Sequence, residues 1–430
     1  MNLKEKIDRK NISVSVIGLG HIGLPLALRI SESAIHVTGI DIDTKLIQTL
    51  SNGDSHLSHI DSKRVKKSLQ KNLLTLSCDD KKIQQTDVTI ICVPTLLTEQ
   101  NEPDLTKIIN VTNIVSKNLK ENLDDEKLII IESTLPPKAT REILLPILLE
   151  SGRTLGENLY ISYSPEREDP GNHEFSTQTI PKLVSGLCDH SLNNALNFYS
   201  LIIDNPIPVA STEVAEMAKL IENAQRLINI SFANEMKILM NRIDMNIDEV
   251  LDACATKPFG FQKVSAGPGI GGHCIPLTPQ FLSSFSKTLG INSQLIDTAT
   301  SINLKMPDFV LEQVGHHFQS PNQTRLLVLG ITYKKNIAQV DSSPSLEIFK
   351  SLMKRGYQVS YHDPFHQEIL IDGQKLESGI LSRKYIENFD CVVLLTDHDQ
   401  VDYDLVALSS RMIIDTRGKF TIDGKRVIKA

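Results

Sequence analysis

The stretch Ser13-Val-Ser-Val-Ile-Gly18-Leu-Gly20-His21-Ile22-Gly23 decides the fold of the first half of this chain. An apolar run over Ser13–Ile17 leads directly into a Gly-x-Gly-x-x-Gly turn, and an apolar helix-like run follows. In such a turn the first glycine permits the bend, the second lets backbone approach a pyrophosphate, and the third lets helix pack on strand. The sequence therefore predicts a dinucleotide-binding turn at Gly18, Gly20, His21, Ile22 and Gly23.

An acidic residue at the end of the next strand strengthens this prediction. The run HVTGID ends at Asp41, 18 residues after Gly23, which is about the spacing of the acid that binds the ribose hydroxyls. Because a carboxylate there repels a 2′-phosphate, and Asp43 adds negative charge, we expect NAD rather than NADP. The alternative reading is a glycine turn that binds nothing.

The rest of the chain alternates strand-like and helix-like segments around a helical centre. Strands are predicted at Ile12–Gly18, His36–Asp41, Val88–Val93, Leu128–Glu132 and Leu159–Ser162, and later at Arg325–Gly330, Gln358–His362, Cys391–Leu395 and Met412–Asp415. Near-continuous apolar strands between helices indicate parallel sheets covered on both faces. We therefore predict an α/β fold with two Rossmann-like doubly wound domains joined by a central helical domain with one long helix, from Ser211 to about Ile243. The expected domains are residues 1–208, 209–305 and 306–430.

Composition excludes several classes of function. A net charge of −7 gives no general basic surface for nucleic acid or an acidic membrane. The six cysteines are scattered without Cys-x-x-Cys or His/Cys pairs at ligand spacing, so we expect neither a disulfide framework nor a metal site. The uncharged run Asn11–Leu28 has the outline of a signal peptide, but its glycines are better explained by the dinucleotide turn. We expect a cytoplasmic protein.

One cysteine lies in an unusual setting. The segment GPGIGGHCIP, Gly267–Pro276, surrounds Cys274 with four glycines. Glycine is used where backbone takes unusual dihedral angles or approaches a ligand closely, and a thiolate in such a loop can attack an electrophilic carbon. The alternative is a small buried side chain, which is the usual role of a lone cysteine.

A polar stripe marks the predicted long helix. Lys219, Glu222, Asn223 and Arg226 follow one another at helical spacing on a helix that is otherwise apolar. We expect the stripe to line a cleft rather than to form an ordinary solvated face. Lys219 and Asn223 are one turn apart and are suited to hold an oxyanion and a water.

Three segments carry a family resemblance. With GLGHIGLP, KLIEN and GPGIGGHCIP, the chain resembles the UDP-glucose/GDP-mannose dehydrogenase family over nearly its whole length. Within the family the likeness is closest to bacterial UDP-N-acetylglucosamine 6-dehydrogenases, on the stretches SPEREDPGN (Ser164–Asn172), ATKPFGF (Ala255–Phe261) and GGHCIP. UDP-N-acetylmannosamine and UDP-glucose are the next candidate substrates.

The resemblance implies a four-electron oxidation of the C6 alcohol of a nucleotide sugar to a carboxylate, with reduction of two NAD. Cys274 matches the nucleophile that traps the aldehyde as a thiohemiacetal, which is then oxidised to a thioester. Lys219 and Asn223 match the residues that stabilise the oxyanion and order water. Glu166 matches the general base for hydrolysis, and Thr134 matches a hydroxyl that positions water.

The resemblance also implies the binding residues and the product's use. Thr95 and Thr134 are expected at the cofactor. The residues expected at the UDP-sugar are Glu166, Arg167, Lys219, Asn223, Gly271, Lys334 and Arg417. The family analogy further predicts a homodimer or higher homo-oligomer, and a uronic acid for capsule or lipopolysaccharide biosynthesis.

Three positions depart from the family pattern. Thr278 stands where the family usually has an acid four residues beyond the cysteine, Asp341 where it usually has an arginine, and Leu96 where a second proline is common. The first two leave open a catalytically impaired relative that binds nucleotide sugar as a regulatory or assembly subunit. A third reading is a two-electron reductase, in which Cys274 is dispensable for oxidation.

Overall fold

The computed structural model describes residues 1–57, 59–169, 174–420 and 426–430. The chain divides into two compact units. The first unit comprises Met1–Glu222 and Gln280–Ile291, and the second comprises Asn223–Pro279 and Asn292–Ala430. The division into residues 1–208, 209–305 and 306–430 stays a prediction.

The first unit is built on a six-stranded parallel sheet. Numbering the strands of the two large sheets along the chain, its members are β1 Ser13–Ile17, β2 His36–Ile40, β3 Leu74–Ser77, β4 Val88–Ile91, β5 Lys127–Ile131 and β6 Leu159–Tyr163. Their order is β3-β2-β1-β4-β5-β6, the arrangement of a doubly wound dinucleotide-binding sheet. The predicted α/β class is confirmed.

Both faces of this sheet are buried because successive residues of each strand enter different cores. Val14 and Val16 belong to one cluster, whereas Ile17 and Ile91 belong to the other. Helices cover both clusters, at Leu3–Asp8, Gly23–Glu32, Thr44–Ser51, Ser62–Gln70, Thr106–Asn118, Leu145–Leu149 and Asp189–Tyr199. A 3-10 turn at Asp80–Gln85, a π-helical turn at Thr140–Leu144 and the strand pairs Leu96–Leu97 with Pro103–Asp104 and Lys182–Val184 with Pro206–Pro208 complete the set.

The second unit contains a five-stranded parallel sheet in the order β8-β7-β9-β10-β11. Its strands are β7 Arg325–Leu329, β8 Gln358–His362, β9 Cys391–Leu394, β10 Ile413–Asp415 and β11 Val427–Lys429. The helices of this unit are Ile247–Ala255, Gln294–Leu304, Met306–His317, Pro344–Lys354, Arg383–Ile386 and Tyr403–Ser409, with a 3-10 turn at Pro321–Gln323 and a hairpin of Glu368–Ile371 with Gln374–Glu377. The α/β fold predicted for the C-terminal part of the chain is therefore present.

Two helices carry the residues singled out above. The long helix, Thr212–Asn241, has 30 residues, and the cysteine helix spans Cys274–Thr288. The polar stripe on the long helix is not uniform, since Lys219 is buried while Glu222 and Arg226 are exposed. No helix within the described residues is both long and apolar enough to span a bilayer.

Candidate functional site

The three glycines of the turn differ in what surrounds them. A Cβ on Gly18, whose φ is +89°, would lie 2.9 Å from the Cys92 carbonyl oxygen, and one on Gly23 would lie 1.8 Å from that of Gly18. A Cβ on Gly20, by contrast, meets no atom of the described residues within 4 Å. Gly18 and Gly23 are thus fixed by packing, whereas Gly20 leaves open space where a pyrophosphate can approach backbone N–H groups at a helix N-terminus.

Asp41 lies directly after β2, at the same end of the sheet as this turn. Its Oδ2 accepts a hydrogen bond from the Leu19 amide at 2.8 Å, and its Oδ1 accepts one from the Asp43 amide at 3.0 Å. The carboxylate therefore holds the glycine turn in place. Remaining lone pairs on its oxygens leave it able to accept from ribose hydroxyls.

The other predicted cofactor residues follow strand ends. Ile22 immediately precedes the helix Gly23–Glu32, and the exposed His21 ring stacks with His59 at a centroid distance of 6.3 Å. Thr95, after β4, donates its hydroxyl to the carbonyl of Thr134, after β5, at 2.8 Å. The carboxyl-end loops of β1, β4 and β5 thus contribute to one edge of the sheet, where ligands bind in open α/β folds.

A buried ion pair joins two predicted catalytic residues in the first unit. Lys219 Nζ lies 3.3 Å from Glu166 Oε2, with both side chains less than 10% exposed, and it also donates to the backbone carbonyl of Glu166. Charge-assisted bonds of this kind hold a cation in a fixed position. Of the stretch that contains Glu166, residues Pro170, Gly171 and Asn172 lie outside the described part of the chain.

Charged groups that the sequence did not single out surround this pair. Glu132 is buried against Lys182 Nζ at 2.9 Å and accepts the Tyr199 hydroxyl at 2.5 Å. The Glu168 amide donates to the Glu166 carboxylate. Glu132 directly follows β5, and Lys182 is the first residue of the strand Lys182–Val184. Neither position carries a spacing that marks a site in the sequence, whereas Glu168 lies in the motif SPEREDPGN.

Arg167, predicted to bind substrate, is paired with the long helix. Its Nη2 lies 2.6 Å from Glu222 Oε1, and its Nη1 donates to the Pro181 carbonyl at 2.9 Å. The guanidinium therefore fixes the loop after β6 against the helix. Its predicted contact with substrate stays a prediction.

Cys274 is the first residue of the cysteine helix and is exposed. The N-terminal turn of a helix carries partial positive charge, which stabilises a nearby anion such as a thiolate. Cys92 and Cys391 are buried instead, and burial raises the pKa of the Cys92 thiol well above its usual value. The alternative of a buried structural cysteine therefore applies to those two and not to Cys274.

Asn223, in the second unit, has an unsatisfied side-chain donor. Its Nδ2 is buried and has no hydrogen-bond partner within the described residues. Buried amide donors normally have a partner because leaving one unpaired costs about 1–3 kcal/mol. An acceptor supplied by a ligand or water would satisfy it.

The glycines before Cys274 are explained largely by packing inside the second unit. A Cβ on Gly271 would lie 2.5 Å from the Ser342 carbonyl oxygen, and one on Gly272 would lie 2.8 Å from the Tyr333 ring. A Cβ on Gly267 would lie 2.7 Å from Arg417 Nη1. The loop is thus close against the segment after β7, and close approach to a ligand is not needed to explain these glycines.

Lys334 and Arg417 follow β7 and β10 in the second unit. Arg417 Nε donates to the Leu395 carbonyl at 2.7 Å. The loop that carries Lys334 is anchored by a buried His398, whose Nδ1 accepts from the Asn336 amide at 3.0 Å and whose Nε2 lies 3.1 Å from Asp363 Oδ2. His398 and Asp363 orient this loop, and neither was singled out from the sequence.

The three departures occupy different surroundings. Thr278 is 4% exposed in the first turns of the cysteine helix, whereas Asp341 is exposed and belongs to no ion pair formed by described residues. Leu96 begins a two-residue strand. No group of three or more His, Cys, Asp or Glu side chains in the described part of the chain is arranged to hold a metal ion.

Comparison with known proteins accounts for both units. Models of the UDP-glucose/GDP-mannose dehydrogenase family match residues 12–201 as its NAD binding domain, 213–305 as its central domain and 327–430 as its UDP binding domain. The open space at Gly20 and the acid after β2 fit the cofactor that the first of these domains binds.

Individual relatives extend over most of the chain. A UDP-N-acetyl-D-mannosamine dehydrogenase of Methanococcus aeolicus is 31% identical over 92% of this chain and 87% of its own length. A UDP-N-acetyl-D-glucosamine 6-dehydrogenase of Pseudomonas aeruginosa is 32% identical over 83% of each. The structure of the UDP-D-ManNAc dehydrogenase of Pyrococcus horikoshii covers 97% of this chain and 99% of its own, with a TM-score of 0.84 and 27% identity. With three family domains in order and relatives that span its length, this chain belongs to the UDP-glucose/GDP-mannose dehydrogenase family of NAD-dependent UDP-sugar dehydrogenases.

Proposed function

We propose that this enzyme oxidises the C6 hydroxyl of a UDP-N-acetylhexosamine, with UDP-N-acetylglucosamine as the first candidate, to the uronic acid used in surface polysaccharide biosynthesis. The observation that carries the proposal is the buried Lys219–Glu166 pair within the NAD-binding unit. Glu166 lines the same small cavity as Ile22 of the glycine turn. A fixed cation and a carboxylate beside the cofactor turn are the groups that an oxyanion and a hydrolytic water require.

The proposed sequence uses the thiol to extend an alcohol oxidation to an acid. NAD held at the glycine turn and Asp41 would supply the two-electron oxidant for both oxidations. The Cys274 thiolate adds to the carbon of the resulting C6 aldehyde, and a proton on the aldehyde oxygen completes the thiohemiacetal. Loss of a hydride to a second NAD and of the hydroxyl proton would convert the thiohemiacetal to a thioester. Water then attacks the thioester, the C–S bond breaks, and the acid and the Cys274 thiolate are released.

The remaining predicted residues take supporting roles. Lys219 and the Asn223 amide stabilise the oxyanion, Glu166 accepts the proton of the attacking water, and the Thr134 hydroxyl positions that water. The unpaired Asn223 Nδ2 supports this assignment, because it is a buried donor without an acceptor. Lys334, Arg417, Gly271 and Arg167 are proposed to contact the UDP-sugar.

The choice of sugar rests on local sequence. The stretches SPEREDPGN and ATKPFGF favour UDP-N-acetylglucosamine. Relatives named as UDP-N-acetylmannosamine and as UDP-N-acetylglucosamine dehydrogenases are similar to this chain to nearly the same degree, at 31% and 32% identity. UDP-N-acetylmannosamine and UDP-glucose are therefore the alternatives to be tested alongside it.

A second candidate is a catalytically impaired family member that binds nucleotide sugar without turnover. Thr278 and Asp341 favour it, because an acid and an arginine are usual there. The loss of a group that orients catalytic residues would slow the chemistry rather than abolish binding.

Steady-state assays with the purified protein test the proposal. We expect two NADH per sugar, and a uronic acid by mass spectrometry, from UDP-N-acetylglucosamine rather than from UDP-N-acetylmannosamine or UDP-glucose. Cys274→Ala should abolish acid formation, whereas Cys254→Ala, at another exposed cysteine, should not change it. Sugar binding without NADH formation would favour the impaired relative, and acid formation by Cys274→Ala would exclude the thioester route.

A further inference from the structure

A small polar cavity lies in the first unit beside Glu166. Its volume is about 20 Å³, which is room for one water molecule. Besides Glu166, four charged side chains line the cavity: Glu132, Arg167, Glu168 and Lys182. Thr177 adds a hydroxyl group. Such a lining offers a water the two to four polar partners that it needs.

Glu168 differs from the other carboxylates of this cavity. Lys219 pairs with Glu166, and Lys182 pairs with Glu132 at 2.9 Å. Within the described residues, no cation forms an ion pair with Glu168. Glu168 is thus a mostly buried carboxyl group that shares a cavity with two others and lacks a counterion of its own.

The hydrolysis step described under the proposed function needs a proton acceptor beyond Glu166. When water adds to the thioester, its proton passes to the Glu166 carboxylate as the C–O bond forms. Glu166 must lose that proton before it can act in the next turnover. Glu166 is buried, and the partners of its carboxylate among the described residues, Lys219 and the Glu168 amide, are hydrogen-bond donors. A neighbouring acceptor is therefore needed to take the proton onward.

We propose that Glu168 receives the proton from Glu166 through a water in the cavity that the two side chains share, and so acts as a positioning residue for the general base. The proposal rests on the thioester mechanism proposed above. The transfer is a proton relay without redox change: the proton leaves Glu166, passes to the water, and the water gives one of its own to Glu168.

The electrostatics of the cavity suit this role. Burial and the neighbouring Glu166 and Glu132 carboxylates raise the pKa of Glu168 to about 7, against the opposing effects of Thr177 and Lys182. A group with this pKa both accepts and releases protons near neutral pH. The Arg167 guanidinium also faces the cavity, but it is engaged by Glu222 at 2.6 Å.

Glu168→Gln removes the titratable group while keeping the shape of the side chain. In this variant we expect the rate of acid release to fall about ten-fold, with the Cys274 thioester accumulating as a covalent adduct visible by intact-protein mass spectrometry. The dependence of kcat on pH should lose its inflection near pH 7. Glu168→Asp, which keeps a carboxyl group, should restore part of the inflection, and Glu157→Gln, at an exposed site of the same unit, should behave as wild type.

Several outcomes would overturn the relay. A Glu168→Gln enzyme with the wild-type pH profile and no adduct would do so, as would a rate loss without a change in pH profile, which indicates a structural role. If the Gln variant does not fold, an Asp variant that folds but has an unaltered inflection also overturns it. Failure of the wild-type enzyme to form NADH or acid would remove the proposed function itself, and the relay with it.

Discussion

At the scale of single residues, alanine substitutions at two glycines of the cofactor turn should have opposite effects on NAD affinity and on stability. Gly20→Ala adds a methyl group to open space, so the unfolding temperature should stay near that of wild type. NAD affinity should fall about ten-fold or more, because the methyl group keeps the pyrophosphate away from the backbone. Gly23→Ala places a Cβ 1.8 Å from the Gly18 carbonyl oxygen, so we expect a loss of about 3 kcal/mol in folding free energy. Thermal unfolding and NAD titration by calorimetry measure the two effects.

The two variants control for each other. If Gly20→Ala binds NAD as tightly as wild type, the open space at this glycine is not where the cofactor approaches. If Gly23→Ala is as stable as wild type, the contact between the helix after the turn and the end of β1 is not as close as the structure has it.

The site residues that could be predicted from the sequence are those that lie in a motif. Gly18, Asp41 and Cys274 were found because their spacing or setting restricts residue choice, and the structure gives each a distinct position. Glu132 and Lys182 are brought together across 50 residues by the fold, and no local pattern reveals such a pair. The unusual electrostatics of Glu168 likewise depend on burial among other carboxylates, which sequence spacing does not give.

At the scale of elements, Glu216 of the long helix holds the turn before the π-helical segment. Its carboxylate accepts from the Lys138 amide at 2.6 Å and from the amide and hydroxyl of Thr140 at 2.9 and 2.6 Å, and Lys138 has a φ of +71°. Glu216→Ala leaves these donors unpaired and should lower the free energy of unfolding by about 2–4 kcal/mol. Glu216→Gln keeps one acceptor oxygen and should lower the free energy of unfolding by about 1 kcal/mol. Chemical denaturation measures the effect of both variants.

The same group makes stability depend on pH. Burial raises the pKa of Glu216 to about 7, against the lowering effect of its hydrogen bonds. Because the folded carboxyl then keeps its proton to higher pH than the unfolded one, this group's contribution to stability falls as the pH rises from about 4.5 to about 7. The difference in unfolding free energy between wild type and Glu216→Gln should change over that interval; a constant difference would contradict the assignment.

Elements were predictable where the apolar runs were long. The strands around the glycine turn and after Arg325 appear within one or two residues of their predicted ends. β3 (Leu74–Ser77) and β11 (Val427–Lys429) were missed, because each is short, carries polar residues and lies at an edge of its sheet. β3 buries one of its four residues and β11 buries none, whereas β6, also at an edge, is buried throughout and was predicted. The apolar pattern that identifies buried strands is therefore weak in β3 and β11.

At the scale of the whole molecule, the cofactor turn, Thr95, Thr134 and Glu166 follow the carboxyl ends of β1, β4, β5 and β6, which neighbour one another in the parallel sheet. The sequence predicted this class of fold because strands and helices alternate in both halves. It did not predict the strand order itself, which depends on long-range pairing. The helical spacing of the polar stripe does not by itself establish the predicted cleft, since Glu222 and Arg226 are exposed while Lys219 is buried.

The homodimer that family analogy predicts can be tested on the long helix, which carries an exposed apolar row. Phe232 and Leu239, seven residues apart and therefore on one face, are 53% and 49% exposed, and exposed apolar patches commonly mark interfaces. Light scattering should give wild-type protein twice the chain mass of 47.9 kDa, and the double variant Phe232→Glu/Leu239→Glu should be a monomer, because a two-fold interface repeats each added charge. Leu408→Glu, at a leucine 82% exposed on another helix, should remain a dimer. A monomeric wild type, or a double variant that stays dimeric, would show that this row is not the interface.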